Sequence, residues 1–353
     1  MTRVCFSTRP RHRPEVDSRR PPRLSPPSRQ GLQWSAHDSP VSGDDPEDVV
    51  HSVTVNGAHR GGVDLVLVHG FANGGGCFFK QVGDLGAVGR AHLVDWRGAG
   101  MSGRPKGGFS PKTEAEAIDY FVEGLEAWRL HRLGPEGKLC LVGHSMGAIV
   151  AANYAARNPE NVKHLILAGP AAVKHVDPAV VRAFVRRSLL HRVFHGTATF
   201  LWNLGVTPQM TMRAAPFRWQ RGVVDNYVRK RWRAREVLDE PTYEALVEYA
   251  TGVLMMPGVS ERALGIILRP IATARTPIGP LVASLPESVP VTFVYGEHDW
   301  MTPRFGAEVV QEMRANGRKN AHIHILPDAG HYAFIDQAEA VNEIIKRAWT
   351  ACR

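Results

Sequence analysis

Two hydrophobic patterns alternate along most of this chain. Short apolar runs occur at 51–56 (HSVTVN), 63–71 (VDLVLVHGF), 91–96 (AHLVDW), 138–145 (KLCLVGHS), 164–170 (HLILAGP), 289–299 (VPVTFVYGEHD) and 321–327 (AHIHILP). Each is bounded by glycine, proline or charged residues and predicts a strand. Between them, segments such as EAIDYFVEGLEAWRL at 116–130 space their apolar residues as a helix does, and a last helix is predicted over 337–351. Runs that are apolar throughout belong to strands covered on both faces, so strands and helices in alternation predict an α/β fold with a mostly parallel, doubly wound sheet. HSVTVN alternates instead and predicts an edge strand. Ligand sites on such sheets form at the carboxyl ends of the strands.

The alternation breaks between HLILAGP and VPVTFVYGEHD. More than a hundred residues there contain helix-like segments, Trp202, Trp219, Trp232 and the basic run Arg229-Lys230-Arg231-Trp232-Arg233-Ala234-Arg235. A connection of that length predicts an inserted helical cap, assigned to 174–285, with the core split into 46–173 and 286–353. Ahead of the core, residues 1–45 read as a disordered basic extension, since the first thirty are rich in Arg, Pro and Ser and poor in apolar residues. They contain no apolar stretch of the kind a secretory signal needs. An organelle transit peptide and a plain extension both fit their Arg and Ser content, while the prolines disfavour the amphipathic helix of a transit peptide.

Composition narrows the function classes. No apolar run approaches the ~18 residues that cross a bilayer, so membrane contact is expected to be peripheral. Cys5, Cys77, Cys140 and Cys352 have no metal-ligand spacing, and neither a disulfide framework nor a metal site is expected; this fits a cytoplasmic, reducing location. The net charge of +9 divides unevenly: residues 1–30 carry 8 Lys and Arg against 2 acids, and residues 174–285 carry 16 against 8. The basic surplus therefore sits in the extension and the cap, where an anionic membrane or lipid-droplet surface is the expected partner. A solvated helix face is the plainer account of the run at 229–235. The loop RGAGMSG at 97–103 fits neither the dinucleotide nor the P-loop pattern, so no cofactor and no nucleic-acid partner is expected.

The strand ends carry the chemistry. Gly143-His144-Ser145-Met146-Gly147 joins a buried strand to a helix, the setting in which a Gly-x-Ser-x-Gly turn lifts a serine hydroxyl above the sheet edge as a nucleophile. His69-Gly70-Phe71 follows an earlier strand, and the amides of Phe71 and Met146 are the candidate oxyanion-hole donors. Glu297-His298-Asp299 follows VPVTFVYG, and Asp328-Ala329-Gly330-His331 follows AHIHILP. The order Ser145, Asp299, His331 matches nucleophile, acid and base, with Asp299 preferred to Glu297 two residues away.

The segments LVLVHGF, HLVDWRGAGMSGRP, LVGHSMG, VYGEHDWM and GHYAFIDQAEAV together resemble the α/β-hydrolase superfamily over about 62–349. More narrowly they resemble its branch of N-acyl phospholipid lipases and lipid-droplet lipase coactivators credited with lysophosphatidate acyltransferase activity. That resemblance implies an α/β-hydrolase fold with a cap and a phospholipid or other acyl-lipid substrate. In the branch, coactivators replace the nucleophile with Asn, so Ser145 implies hydrolytic competence. His331 and Asp336 stand as the branch's His-x-x-x-x-Asp; acyl transfer and N-capping of the last helix are both open for Asp336. The expected function is a serine carboxyl-ester hydrolase of the phospholipase or lysophospholipase type, with acyl transfer to lysophospholipid on the same apparatus. A non-enzymatic coactivator and a hydrolase of small soluble esters are the alternatives.

Overall fold

The computed structural model describes residues 32–56, 62–185, 188–231 and 237–352. Its main sheet contains β1 (Trp34–Pro40), β2 (Val49–Val55), β3 (Asp64–Val68), β4 (Ala91–Val94), β5 (Leu139–His144), β6 (Val162–Ala168), β7 (Val291–Gly296) and β8 (Ala321–Leu326). The spatial order is β1-β2-β4-β3-β5-β6-β7-β8, antiparallel at the β1–β2 and β2–β4 pairs and parallel beyond. The period-2 rule decides which side chains face which layer. Leu65, Leu67, Cys140 and Val142 point into one apolar layer, while Val66, Val68, Leu139 and Leu141 point into the other.

Helices cover both faces. One side carries α1 (Phe79–Gly86) and, near the end of the chain, α12 (Ala333–Asp336) and α13 (Ala338–Thr350). The other carries α2 (Glu114–Leu133) and α3 (Met146–Arg157). The start of α2 is fixed by the Thr113 side chain, which accepts the Glu116 amide at 3.2 Å, while Glu116 accepts the Lys112 amide at 2.7 Å. Trp128 and Trp349 are fully buried, and their indole N–H groups donate to Ser52 Oγ and the Val63 carbonyl. Among the described residues no helix is long and apolar enough to cross a membrane.

Three sequence boundaries shift. Residues 34–40, assigned to the extension, form the edge strand β1, and HSVTVN is therefore an inner strand paired on both sides. WSAHDSP has too few apolar residues to announce itself, because an edge strand buries little side-chain area and is held by its ladder. The residues before 32 lie outside the described ones. The third shift is at the far end of the cap. There α10 (Gly279–Ala283) packs on α3 and on α11 (Pro303–Ala315), and the Ile278 and Gly279 amides donate to the Ala172 and Val173 carbonyls. That helix belongs to the core.

The cap is built from α4 (Pro178–Val185), α5 (Leu189–Asn203), α6 (Pro208–Arg213), α7 (Phe217–Arg231), α8 (Glu240–Met255) and α9 (Ala263–Ile267), with a two-residue strand pair at 268–269 and 273–274. Asp239 and Thr207 cap α8 and α6 by accepting the Thr242 and Met210 amides.

Candidate active site

The backbone of Ser145 has φ 55° and ψ −121°, a left-handed conformation that a side chain rarely adopts. It is held there because the Ser145 amide donates to the Ala168 carbonyl, while its own carbonyl accepts the Ala148 and Ala171 amides. The flanking glycines are required by contact. A Cβ on Gly143 would stand 2.8 Å from Ala148 Cα, and one on Gly147 would overlap the His69 carbonyl. The turn therefore brings α3 directly onto β5 and onto the loop after β3.

His331 reaches this turn from the loop after β8. Its Nε2 accepts the Ser145 hydroxyl at 3.0 Å, and its Nδ1–H donates to Asp299 Oδ1 at 2.8 Å. With the carboxylate as acceptor, the imidazole is in its Nδ1–H tautomer. Asp299 is 8 % exposed and His331 6 % exposed. Asp299 Oδ1 also accepts the Met301 amide at 2.8 Å, which sets the carboxylate plane. Glu297 faces solvent, so Asp299 is the carboxylate brought to the imidazole. The linear order of the three residues thus becomes one hydrogen-bonded chain.

Phe71 and Met146 line the same cavity as Ser145 and His331. The loop that carries Phe71 is pinned from below. Trp96 donates its amide to His69 Nε2 and its indole N–H to the His69 carbonyl, and His69 Nδ1–H donates to the Gly70 carbonyl. Asp95 accepts the Gly75 and Met101 amides at 2.5 and 2.6 Å, tying the glycine-rich loop after β4 to the loop after β3. RGAGMSG is therefore a structural clamp beside the site. The cap adds a further tie, because Tyr249 accepts the Gly76 amide at 3.1 Å.

Ser145 lines a cavity of about 580 Å³, to which the cap contributes the apolar side chains of Trp202, Met212, Val224, Tyr227, Leu254 and Leu264. The half-exposed Trp300 ring stands 5.2 Å from the His331 ring at its mouth. Such a cavity is large and apolar enough for an aliphatic ligand, and Ser145 is one of the residues that line it.

A family model described as the alpha/beta hydrolase fold matches residues 65–338. The chain is an α/β-hydrolase. It is 30% identical over 321 residues to the probable 1-acylglycerol-3-phosphate O-acyltransferase of Oryza sativa subsp. japonica, covering 88% of this chain and 72% of that one. It is 27% identical to the (lyso)-N-acylphosphatidylethanolamine lipase of Mus musculus, over 85% of this chain and 83% of that one. Among solved structures, the 2-hydroxy-6-oxo-6-phenylhexa-2,4-dienoate hydrolase of Rhodococcus sp. strain RHA1 superposes with a TM-score of 0.62 at 16% identity, over 90% of this chain and 99% of that one, a likeness of fold.

In this α/β-hydrolase, Asp336 does not cap the last helix. It ends α12, and its Oδ2 accepts the Gly330 amide at 2.8 Å, so the residue clasps the loop that holds His331; Gln337 precedes α13 instead. A short helix ending at Asp336 puts it one position too early for a cap of the last helix. Of the basic run, Arg229 and Lys230 are exposed on α7, Arg231 ends that helix, and Trp232 and Arg233 lie outside the described residues.

Sequence reasoning missed two residues of the site. The His144 ring packs at an angle against those of His331 and Tyr332 and edge-on against Phe334, and its Nε2–H donates to the His331 carbonyl at 3.1 Å. Burial, reinforced by the neighbouring His331, holds its pKa well below the ordinary histidine value, so it is a neutral donor. Gly169 has φ 49°, and a Cβ there would stand 2.7 Å from Asp299 Oδ2. The Gly-Pro pair that closes HLILAGP was its only sequence signal.

Proposed function

We propose that this α/β-hydrolase is a serine carboxyl-ester hydrolase that acts on acyl lipids as a phospholipase or lysophospholipase. The observation that carries the reading is the Ser145–His331–Asp299 hydrogen-bonded chain opening into an apolar cavity. Ser145 Oγ attacks the acyl carbonyl while His331 Nε2 takes its proton, and Asp299 balances the resulting imidazolium. The amides of Phe71 and Met146 receive the oxyanion, a contribution of about 3 kcal/mol per donor where it has been measured. The leaving alcohol takes the proton from His331, and water then attacks the acyl-enzyme. A lysophospholipid hydroxyl in place of that water gives acyl transfer with the same groups, the chemistry named for the Oryza relative; ester hydrolysis is the chemistry named for the Mus relative.

The cap supports an interfacial location, peripheral to a membrane or lipid droplet. Phe200 and Leu204 on and just after α5, and Trp219 on α7, are 64%, 62% and 70% exposed, and α7 also carries the exposed Arg229 and Lys230. Exposed aromatic and aliphatic side chains beside basic ones suit an anionic lipid surface.

The test is covalent labelling followed by lipid profiling. A fluorophosphonate should label the parent and not Ser145→Ala, and only the parent should release fatty acid from mixed phospholipids. Labelling that persists in Ser145→Ala removes the nucleophile. Turnover of soluble short esters with no lipid product would place the substrate among small esters, and absence of labelling in the folded parent would favour the coactivator reading.

A further inference from the structure

A second cavity lies at the far end of the sheet from Ser145. It measures about 290 Å³ and opens between the start of β1, the end of β2, the start of β4 and the end of α2. That volume is several times the ~30 Å³ a water occupies in the liquid. Its walls carry Arg90, Arg132, His37 and His92 together with the hydroxyls of Ser35 and Thr54. Among the described residues no aspartate or glutamate lines it.

The charge census around it does not balance. Asp64, just behind the wall, makes a two-point ion pair with Arg90 and also lies 3.3 Å from His92 Nε2, so its charge is committed. Asp38 pairs with His51 Nδ1 at 2.6 Å. Among the described residues no carboxylate pairs with Arg132, and its Nε is buried without a hydrogen-bond partner. Burial and the neighbouring Arg90 both push the Arg132 pKa down. The pKa of His37 is lowered first by burial and then by the Arg132 charge. Arg132 is only partly buried, but its Nε is out of solvent; an unpaired donor of that kind is costly, and one on the wall of an open polar cavity is relieved by an anion that enters it.

We propose that this cavity is a binding site for a phosphate-type oxyanion, with Arg132 as the principal ligand and Arg90, Ser35 and His37 around it. Planar guanidinium forks and hydroxyl donors are what phosphate oxygens require. The site is independent of the chemistry at Ser145. A free phosphomonoester and a phosphate lipid headgroup share the chemistry that would be recognised.

The experiment measures binding of inorganic phosphate and glycerol 3-phosphate to the full-length protein by calorimetry, together with melting temperature with and without phosphate. Phosphate should bind the parent and raise its melting temperature. Arg132→Gln should weaken binding by about ten- to a hundredfold, the range for a lost charge-assisted hydrogen bond. Without phosphate, Arg132→Gln should melt at or above the parent, because it removes an uncompensated charge, and Arg132→Lys should retain part of the binding. Hydrolysis of a soluble ester should be the same in all three. Parallel sedimentation with phosphatidylcholine vesicles, with and without phosphatidate, identifies the source. Phosphatidate-dependent binding lost in Arg132→Gln assigns the site to a lipid headgroup, and loss confined to the soluble ligands assigns it to a free phosphomonoester. Absence of phosphate binding by the parent, equal binding by Arg132→Gln, or a lower melting temperature for Arg132→Gln without phosphate would each overturn the proposal.

Discussion

Replacing Asp299 by Asn tests how the acid acts, and the structure sets the size of the effect. One carboxylate oxygen, Oδ1, accepts both His331 Nδ1–H and the Met301 amide, each at 2.8 Å, while Oδ2 faces Gly169 without a hydrogen-bond partner. Asn can keep its oxygen in the Oδ1 position. Both bonds then survive, but an amide NH₂ is buried against Gly169 with no acceptor, and the negative charge beside the imidazolium is gone. Alternatively the amide flips, which sets its NH₂ against the Met301 N–H and forces His331 into the tautomer that cannot accept the serine proton. Losing charge assistance alone costs about 1.5–3 kcal/mol, or roughly ten- to a hundredfold in rate. Tautomer reversal carries the loss to about 10⁴ in the serine-protease template. Asp299→Asn should therefore slow turnover of a chromogenic ester by about ten- to ten-thousandfold, while the fold, followed by circular dichroism, persists. Met301 makes the unflipped state competitive, so a value in the lower half of that range is expected. The exposed Glu297 should tolerate Gln without loss. A twofold effect of Asp299→Asn, or a crippled Glu297→Gln, would refute the reasoning.

Gly169→Ala places a methyl 2.7 Å from Asp299 Oδ2 at a left-handed backbone position, so kcat for ester hydrolysis should fall with KM little changed; steady-state kinetics decide it. At Asp64, burial raises the pKa, but hydrogen bonds from Arg90 and His92 outweigh it and leave the pKa below the ordinary carboxylate value. The stability this contributes is full above the unfolded pKa near 3.9 and is lost as pH falls through the folded value, so Asp64→Asn should flatten the acid limb of a denaturation-versus-pH curve. On the cap, Phe200→Ser with Leu204→Ser should reduce sedimentation with neutral vesicles. Arg229→Glu with Lys230→Glu should reduce it only with anionic vesicles and low salt, leaving soluble-ester turnover unchanged.

The parts of this fold that the sequence announced are those where burial is two-sided. LVLV, LCLV and LILA have no polar residue to place outward, and they lie in the central strands β3, β5 and β6. The edge strand β1 was missed for the opposite reason, as was the core membership of α10, a five-residue helix defined by what it packs on. The site divides in the same way. Ser145, Asp299 and His331 follow strands, and strand ends are where an α/β sheet concentrates chemistry. His144 and Gly169 act through contacts with residues far away in sequence, to His331 in one case and to Asp299 in the other, and no local pattern encodes such a meeting.

If the proposed acyl-enzyme forms, the cap is the part of the molecule placed to discriminate between its outcomes. In the proposed mechanism the groups that act on the ester follow strands, whereas half of the residues lining the 580 Å³ cavity belong to the cap. Those helices also touch both catalytic loops. Tyr249 accepts the Gly76 amide on the loop carrying Phe71, and the Tyr227 hydroxyl lies 3.4 Å from that of Tyr332, next to His331. In the mechanism proposed here, hydrolysis and acyl transfer share every proton transfer and differ only in which hydroxyl reaches the acyl carbon. Apolar walls stabilise a lipid chain and make isolated waters costly to hold, so they favour an acceptor that arrives with its own apolar surface. The ratio of free fatty acid to transferred acyl product is then a property of cap packing. Substitutions at Trp202, Met212 or Leu254 should move that ratio, while those at Asp299 or His331 should lower both products together.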